Sequence, residues 1–217
     1  MSMNFRIISL AAAFLLASAT PSVAQTGASA PTGSSSDVYA RMQHINANLK
    51  SYSVKLHVDV ETHSFPPISP QLDGTAYFKR PDKTAIVFDT VPALASQFKK
   101  IYPQLEYPSE WPQLYVVTPV SDDGTTSAFR LVRKKSGRID HVDVIVDDKT
   151  ATVSTMTYFY KDGGGSVAFS QSYAQIDGNY VIKKQDGKID IPHYNADVHS
   201  SFSDYHINVN VPDAVFG

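Results

Sequence analysis

The chain of 217 residues contains no cysteine. Disulfides and cysteine nucleophiles are therefore excluded, and so is a lipid-modified N-terminal cysteine. It also lacks an apolar run long enough to span a bilayer: Ile7 to Ala19 is broken only by Ser9 and Ser18, and its length of about 13 residues falls short of the roughly 20 a spanning helix needs. There is no excess of basic charge. With 19 Lys and Arg against 21 Asp and Glu the formal net charge is -2, so no positive field exists to gather nucleic acid. Catalytic signatures are missing as well: the chain has no G-x-S-x-G and no H-E-x-x-H, the spacings that carry a serine nucleophile or a zinc-bound water. No internal repeat is visible.

The N-terminus reads as an export signal. A short basic start with Arg6, the apolar run and then Ser22-Val23-Ala24 have the three-part layout of a secretory leader, with cleavage expected near Ala24. The alternative is an uncleaved membrane anchor. An exported chain enters a compartment where disulfides are possible, so without cysteine this one must derive its stability from its core. Gln25 to Ser36 is small, polar and patternless, a flexible lead-in. The folded domain is expected over 37–217, in the periplasm.

Within that domain Ser36 or Asp37 can cap a helix. Val38, Met42, Ile45, Leu49 and Tyr52 follow at spacings of four and three, which predicts an amphipathic helix over 37–52. The period then changes to two. Val54, Leu56, Val58 and Val60 alternate with Lys55, His57, Asp59 and Glu61, the pattern of a half-buried strand. Leu72 to Asp89 reads as a hairpin about Arg80-Pro81-Asp82-Lys83, expected as a type I turn. Both of its faces carry apolar groups, Ala76 and Phe78 on one and Tyr77 on the other. Pro92 suits a first helical position, and Leu94, Phe98 and Ile101 give a short second helix an apolar edge. Pro103, Pro108 and Pro112 break the chain around Trp111. Strands are expected at about 113–119, 127–135, 138–147, 150–160, 166–175, 179–185 and 198–211, with a further piece at 188–191. Ser136-Gly137, Asp147-Asp148-Lys149, Gly163-Gly164-Gly165 and Asp177-Gly178-Asn179 mark tight turns between them, so sequence neighbours should pair antiparallel. About ten such strands make a strongly curved sheet or a barrel.

Gly74-Thr75-Ala76-Tyr77-Phe78-Lys79-Arg80-Pro81, set behind a leader, a helix and a long strand, resembles the periplasmic outer-membrane lipoprotein carriers, the LolA/LolB-like proteins. The C-terminal Asn208 to Phe216 segment, a strand followed by Pro212 and a short apolar stretch, is similar to that family too. The resemblance implies a mainly β fold: an unclosed antiparallel β-barrel, or half-barrel, with a helical lid over an apolar cavity that takes acyl chains. It implies that Arg80, at the place of the family's arginine, latches the lid by bonding its backbone. Two features depart from the pattern. The aromatic that the sorting carrier has after its R-P falls near Thr84 here, and a proline-rich segment at 91–112 replaces the next strand of the carriers. Both allow a different lipid, or a lipid held differently.

Candidate cavity liners are Leu56, Val58, Phe78, Ile86 and Phe88 from the sheet, and Leu94, Phe98 and Trp111 from the lid-like segment. The plain alternative is that they form a filled core; for Arg80 it is an exposed turn position. His57, Asp59, Glu61 and His63 share one strand face. Their side-chain types suit zinc, but successive same-face residues lie about 6–7 Å apart, so no metal or other cofactor is assigned. His193, His199 and His206 lie near the C-terminus and could approach them. The patch Tyr158, Phe159, Tyr160 and Tyr173 could face a ligand or a partner. The expected function is a non-enzymatic carrier of lipoprotein acyl chains or free lipid, passing cargo from an inner-membrane exporter to an outer-membrane acceptor, with no nucleic-acid partner. The competing readings are a lipoprotein- or envelope-stress-sensing interaction module on the same fold, and a metal-dependent hydrolase.

Overall fold

The structure, a computed structural model, describes residues 35–63, 69–90 and 105–216. The leader, most of the lead-in, and the segment that carries Leu94, Phe98 and Ile101 lie outside the described residues. Helix α1 runs Ser35–His44. The strands are β1 Ser51–Thr62, β2 Gln71–Lys79, β3 Lys83–Phe88, β4 Tyr115–Asp122, β5 Thr126–Arg133, β6 Ile139–Asp147, β7 Thr152–Tyr160, β8 Ser166–Ile176, β9 Asn179–Ile191 and β10 Tyr194–Ile207. A one-turn helix α2, Trp111–Leu114, precedes β4, and a 3-10 turn, Asp213–Phe216, closes the chain.

The strands form one antiparallel ten-stranded sheet in the order β3-β2-β1-β10-β9-β8-β7-β6-β5-β4. It is not closed: among the described residues β3 and β4 are its two edges. This is the expected half-barrel. One run of hairpins leads from β4 to β10, and β10 then pairs with β1 over Tyr52↔Ile207 to Thr62↔Ala196. The connection from β3 to β4 joins the two edges. Its described end, 105–114, lies in the hollow: Tyr107 packs on Phe78 with ring centroids 4.9 Å apart, and Trp111 stacks on Tyr39 of α1 at 6.2 Å. The β4 edge carries Pro119 beside a bulge, a device that discourages pairing with another chain.

Period-two patterning puts the core on the concave side. Val54, Leu56, Val58 and Val60 are buried while Lys55 and Glu61 are exposed. On β5 to β8, Phe129, Leu131, Val142, Val144, Tyr158 and Val167 are all buried in one cluster, which α1 covers with Val38 and Met42.

Three local expectations are corrected. First, α1 ends at His44, not at 52. Asn46 adopts φ 55 and stops the helix, Leu49 is buried in the following loop and Tyr52 belongs to β1; the apolar stripe continues past the helix because both elements bury the same side. Second, the hairpin loop has a cis Arg80–Pro81 peptide in place of a type I turn. Third, 179–185 and 188–191 are one strand, β9. Asp186-Gly187 looks like a turn, but Gly187 pairs with Phe169 on β8 and Val198 on β10. A Cβ at Gly187 would stand 2.7 Å from Phe169 Cε1. The glycine is there so that an aromatic ring can lie across the strand.

An apolar cavity under the loop after α1

Curvature leaves a hollow beside the filled core. Its volume is about 630 Å³, within the range of small-molecule sites. The sheet wall is built from alternate residues: Leu56 and Val58 of β1, Leu72 and Ala76 of β2, Phe169 of β8, and Val198 and Phe202 of β10. Gly74 lets β3 approach β2 closely, since a Cβ there would meet Val87 O at 2.5 Å; this brings Phe88 opposite Gly74 and Ile86 opposite Ala76 on the cavity side. The opposite side is formed by the loop after α1, with Ile45, Asn46 and Leu49, and by the Leu105–Trp111 stretch.

That cover is fastened by polar groups at its margins. Arg80 donates from Nε to Leu49 O at 2.5 Å and from Nη2 to Asn46 O at 2.9 Å. Its guanidinium also stands 5.9 Å from the Tyr107 ring centre, within cation–π range. The Asn46 side chain forms a two-way clamp with the start of β9: Nδ2 donates to Tyr180 O at 2.7 Å, and Tyr180 N donates to Oδ1 at 2.8 Å. In the last turn of α1, Arg41 donates to Asp148 O and Lys149 O. In the crossover, Trp111 Nε1 donates to Glu106 O at 2.7 Å, while Tyr115 and Arg133 hold the Glu106 carboxylate.

Of the sequence-predicted liners, Leu56, Val58, Ile86, Phe88 and Trp111 border the cavity. Phe78 is 0% exposed, packed between Tyr52 and Tyr107 behind the wall. Leu94 and Phe98 lie outside the described residues. Arg80 is an exposed turn residue, and its side chain bonds the backbone of the loop after α1. In the aromatic patch, Tyr158 is buried in the core, Phe159 stacks on His141 on the outer face at 4.5 Å, and Tyr173 borders the cavity.

Sequence reasoning missed Met156, Phe169, Phe202 and Tyr205, and a polar group, Gln171, Gln185 and Ser200, on the same wall. Burial pushes the Tyr52 phenol up to about 12. Burial also raises Tyr107, Tyr173 and Tyr205, with neighbouring phenols adding to the shift of Tyr107 and Tyr205. All four remain neutral, so these tyrosines add aromatic area and no charge.

The histidines stand outside. His57 Nδ1 bonds Asp73 at 2.7 Å with Asp59 at 3.3 Å, His63 bonds Asp197 at 2.8 Å, and His199 bonds Asp186 at 2.7 Å. These contacts lie on the convex face, and the hydrogen bonds to Asp73 and Asp186 raise the pKa values of His57 and His199. Among the described residues no group of three or more His, Asp or Glu is placed to hold a metal ion, and no helix is long and apolar enough to cross a membrane.

An open antiparallel sheet is wrapped around an apolar cavity, with a short helix and a crossover laid in its hollow, and this half-barrel fold is shared with solved structures of LolA-like proteins. No family model and no curated protein matches its sequence. Among solved structures it is similar to a DUF1329 family protein from Desulfovibrio piger, with a TM-score of 0.62 and 15% identity over 83% of this chain and 95% of that one. A LolA superfamily protein from Nitrosomonas europaea aligns with a TM-score of 0.60 and 11% identity, over 87% and 98% of the two chains. A protein from Vibrio parahaemolyticus described as an outer membrane lipoprotein-sorting domain aligns with a TM-score of 0.58 and 11% identity, over 82% and 94%. At these identities the likeness establishes the fold.

Proposed function

We propose that the protein is a periplasmic carrier that shields the acyl chains of a lipoprotein or a free lipid and delivers them toward the outer membrane. The observation that carries this reading is the apolar cavity of about 630 Å³ between the concave sheet and the cover fastened by Arg80 and Asn46. Burying a methylene in such a wall is worth about 0.8 kcal/mol. A dozen methylenes therefore give roughly 10 kcal/mol before the costs of association, which run to about 4–15 kcal/mol. Gain and cost of similar size suit a carrier, which must bind and also let go. The superfamily fold and the leader-like N-terminus support the same reading.

Arg80 and Asn46 supply the control. Their bonds favour the covered state, and cargo shifts the balance only to the extent that it prefers the open one. Mass spectrometry of organic extracts from protein purified gently out of the periplasm tests this. A bound amphiphile at near-stoichiometric yield is expected; extracts free of any amphiphile, together with no uptake of added lipid, would refute it.

A second reading, an interaction module that senses lipoproteins, is favoured by one observation. Val116 and Val120 of the free-edge strand β4 are 55% and 58% exposed, with Val132 of β5 beside them at 42%. The bulge at Pro119 works against strand addition here, so a partner would dock on the valine side chains themselves. Cross-linking from position 116 in the periplasm separates the two: a single protein adduct that persists when bound lipid is removed favours the module.

A further inference from the structure

The cavity wall holds one polar row between apolar ones. Gln171 on β8, Gln185 on β9 and Ser200 on β10 are paired in register, and all three border the cavity. Gln185 is 6% exposed and Ser200 5%. On one side of the row lie Val198 and the Phe169 ring over Gly187; on the other lie Phe202 and Tyr173.

The hydrogen bonds in this row have a direction. Gln171 Nε2 donates to Val153 O at 2.9 Å and to the Tyr173 hydroxyl at 2.5 Å, and that hydroxyl donates to Val153 O at 2.9 Å. Val153 O is a carbonyl and only accepts, so the Gln171 amide is oriented with its nitrogen toward it and its oxygen toward Gln185. Gln185 Nε2 then donates to Gln171 Oε1 at 3.0 Å, which turns Gln185 Oε1 away. That oxygen is buried and has no hydrogen-bond partner. The orphan is therefore an acceptor, and a flip of the Gln185 amide would set two acceptors against each other.

A buried unpaired acceptor disfavours the empty pocket and favours any ligand that brings it a donor. An ionised carboxylate or a phosphodiester brings only acceptors. The row sits between apolar rows, so the donor it meets belongs to the hydrocarbon part of a ligand. Resting on the carrier reading above, we propose that Gln185 Oε1 accepts a hydrogen bond from a hydroxyl borne on the acyl chain of the cargo, so that the cavity selects hydroxylated chains over plain ones. The Ser200 hydroxyl, next to it across β9 and β10, gives the same group a second polar neighbour.

Isothermal titration of the purified mature protein tests this with tetradecanoic acid and its derivatives carrying one hydroxyl at carbon 3, 7 or 11. A hydrogen bond of this kind is worth about tenfold in affinity. At least one hydroxylated isomer is expected to bind the wild type about tenfold tighter than the plain acid. In Gln185→Met, of similar volume and without the acceptor, that preference disappears and the plain acid binds at least as well. Equal binding of all four acids by the wild type overturns the proposal and leaves the carrier reading standing, as does a preference unchanged in Gln185→Met. If none of the four binds, the carrier reading fails and this inference falls with it. The wild-type comparison decides the matter whether or not the variant folds.

Discussion

Replacing Arg80 with alanine removes two hydrogen bonds from a charged donor to the carbonyls of Leu49 and Asn46, at 2.5 and 2.9 Å, and the contact with Tyr107. Bonds of this kind contribute about 1.5–3 kcal/mol each when shielded. Arg80 is an exposed residue, so screening brings the total toward the low end, about 2–3 kcal/mol. The backbone bond from Arg80 N to Lys50 O and the Asn46 clamp remain, so the sheet should stay folded. The loss falls on the segment 45–49 that covers the cavity. A change of about 2–3 kcal/mol shifts its closed-to-open ratio by roughly 30- to 150-fold. Hydrogen exchange at Asn46 to Leu49 should accelerate by that factor, and a fluorescent fatty acid should leave faster, while exchange in β5 to β8 stays unchanged. Arg80→Lys keeps the charge but cannot fork to two carbonyls, so it should lie between the two. Unaltered exchange at 45–49 and unaltered release in Arg80→Ala would refute the assignment of Arg80 to the cover.

Other outcomes follow from the same geometry. Gly187→Ala pushes a Cβ into the Phe169 ring, and overpacking of this kind costs about 1–3 kcal/mol; urea unfolding should register the loss, with a smaller effect if Phe169→Leu is added. Asp213 accepts from Lys79 and Lys83, both at 2.9 Å, and these bonds lower its pKa to about 2. Its contribution is present above the ordinary carboxylate range and is lost as pH falls toward 2, so the amide of Val215, which donates to Pro212 O, should exchange faster in that window, and at neutral pH in Asp213→Asn. The hydrogen bond to Asp186 raises the His199 pKa. Its contribution is full below the ordinary histidine range and is lost as pH rises through the elevated value; a proton NMR titration should place the His199 midpoint above that of a histidine peptide, and Asp186→Asn should bring it down.

The strands nearest the site were legible wherever burial alternates strictly. In β1 the apolar and polar sets fall on opposite faces without exception from Val54 to Glu61. Asp177-Gly178 is a turn as expected, whereas the expected break between 185 and 188 is absent. Asp177 and Gly178, with φ 48 and 75, make the two-residue turn between β8 and β9, whereas Asp186-Gly187 runs straight through β9. Only the Phe169 ring lying on Gly187 distinguishes the second, and that contact joins residues from different strands. The polar row was missed for a related reason. Gln171 sits in phase with Val167 and Phe169, but a glutamine carries no apolar signal of its own, and its inward partners Val153 and Gln185 come from other strands. The extended reading of α1 came from Ile45, Leu49 and Tyr52 keeping the helical period, with Asn46 in the left-handed region as the unrecognised stop.

The central claim is that the hollow between the concave sheet and its cover takes a hydrocarbon chain. Isotope-filtered NMR on labelled protein with unlabelled tetradecanoic acid measures that contact directly. The account predicts cross-peaks from chain methylenes to the methyl groups of Leu56, Val58 and Met156, which border the cavity from β1 and β7. Cross-peaks confined to the exposed Val116 and Val120, or none at any inward-facing methyl, would contradict it.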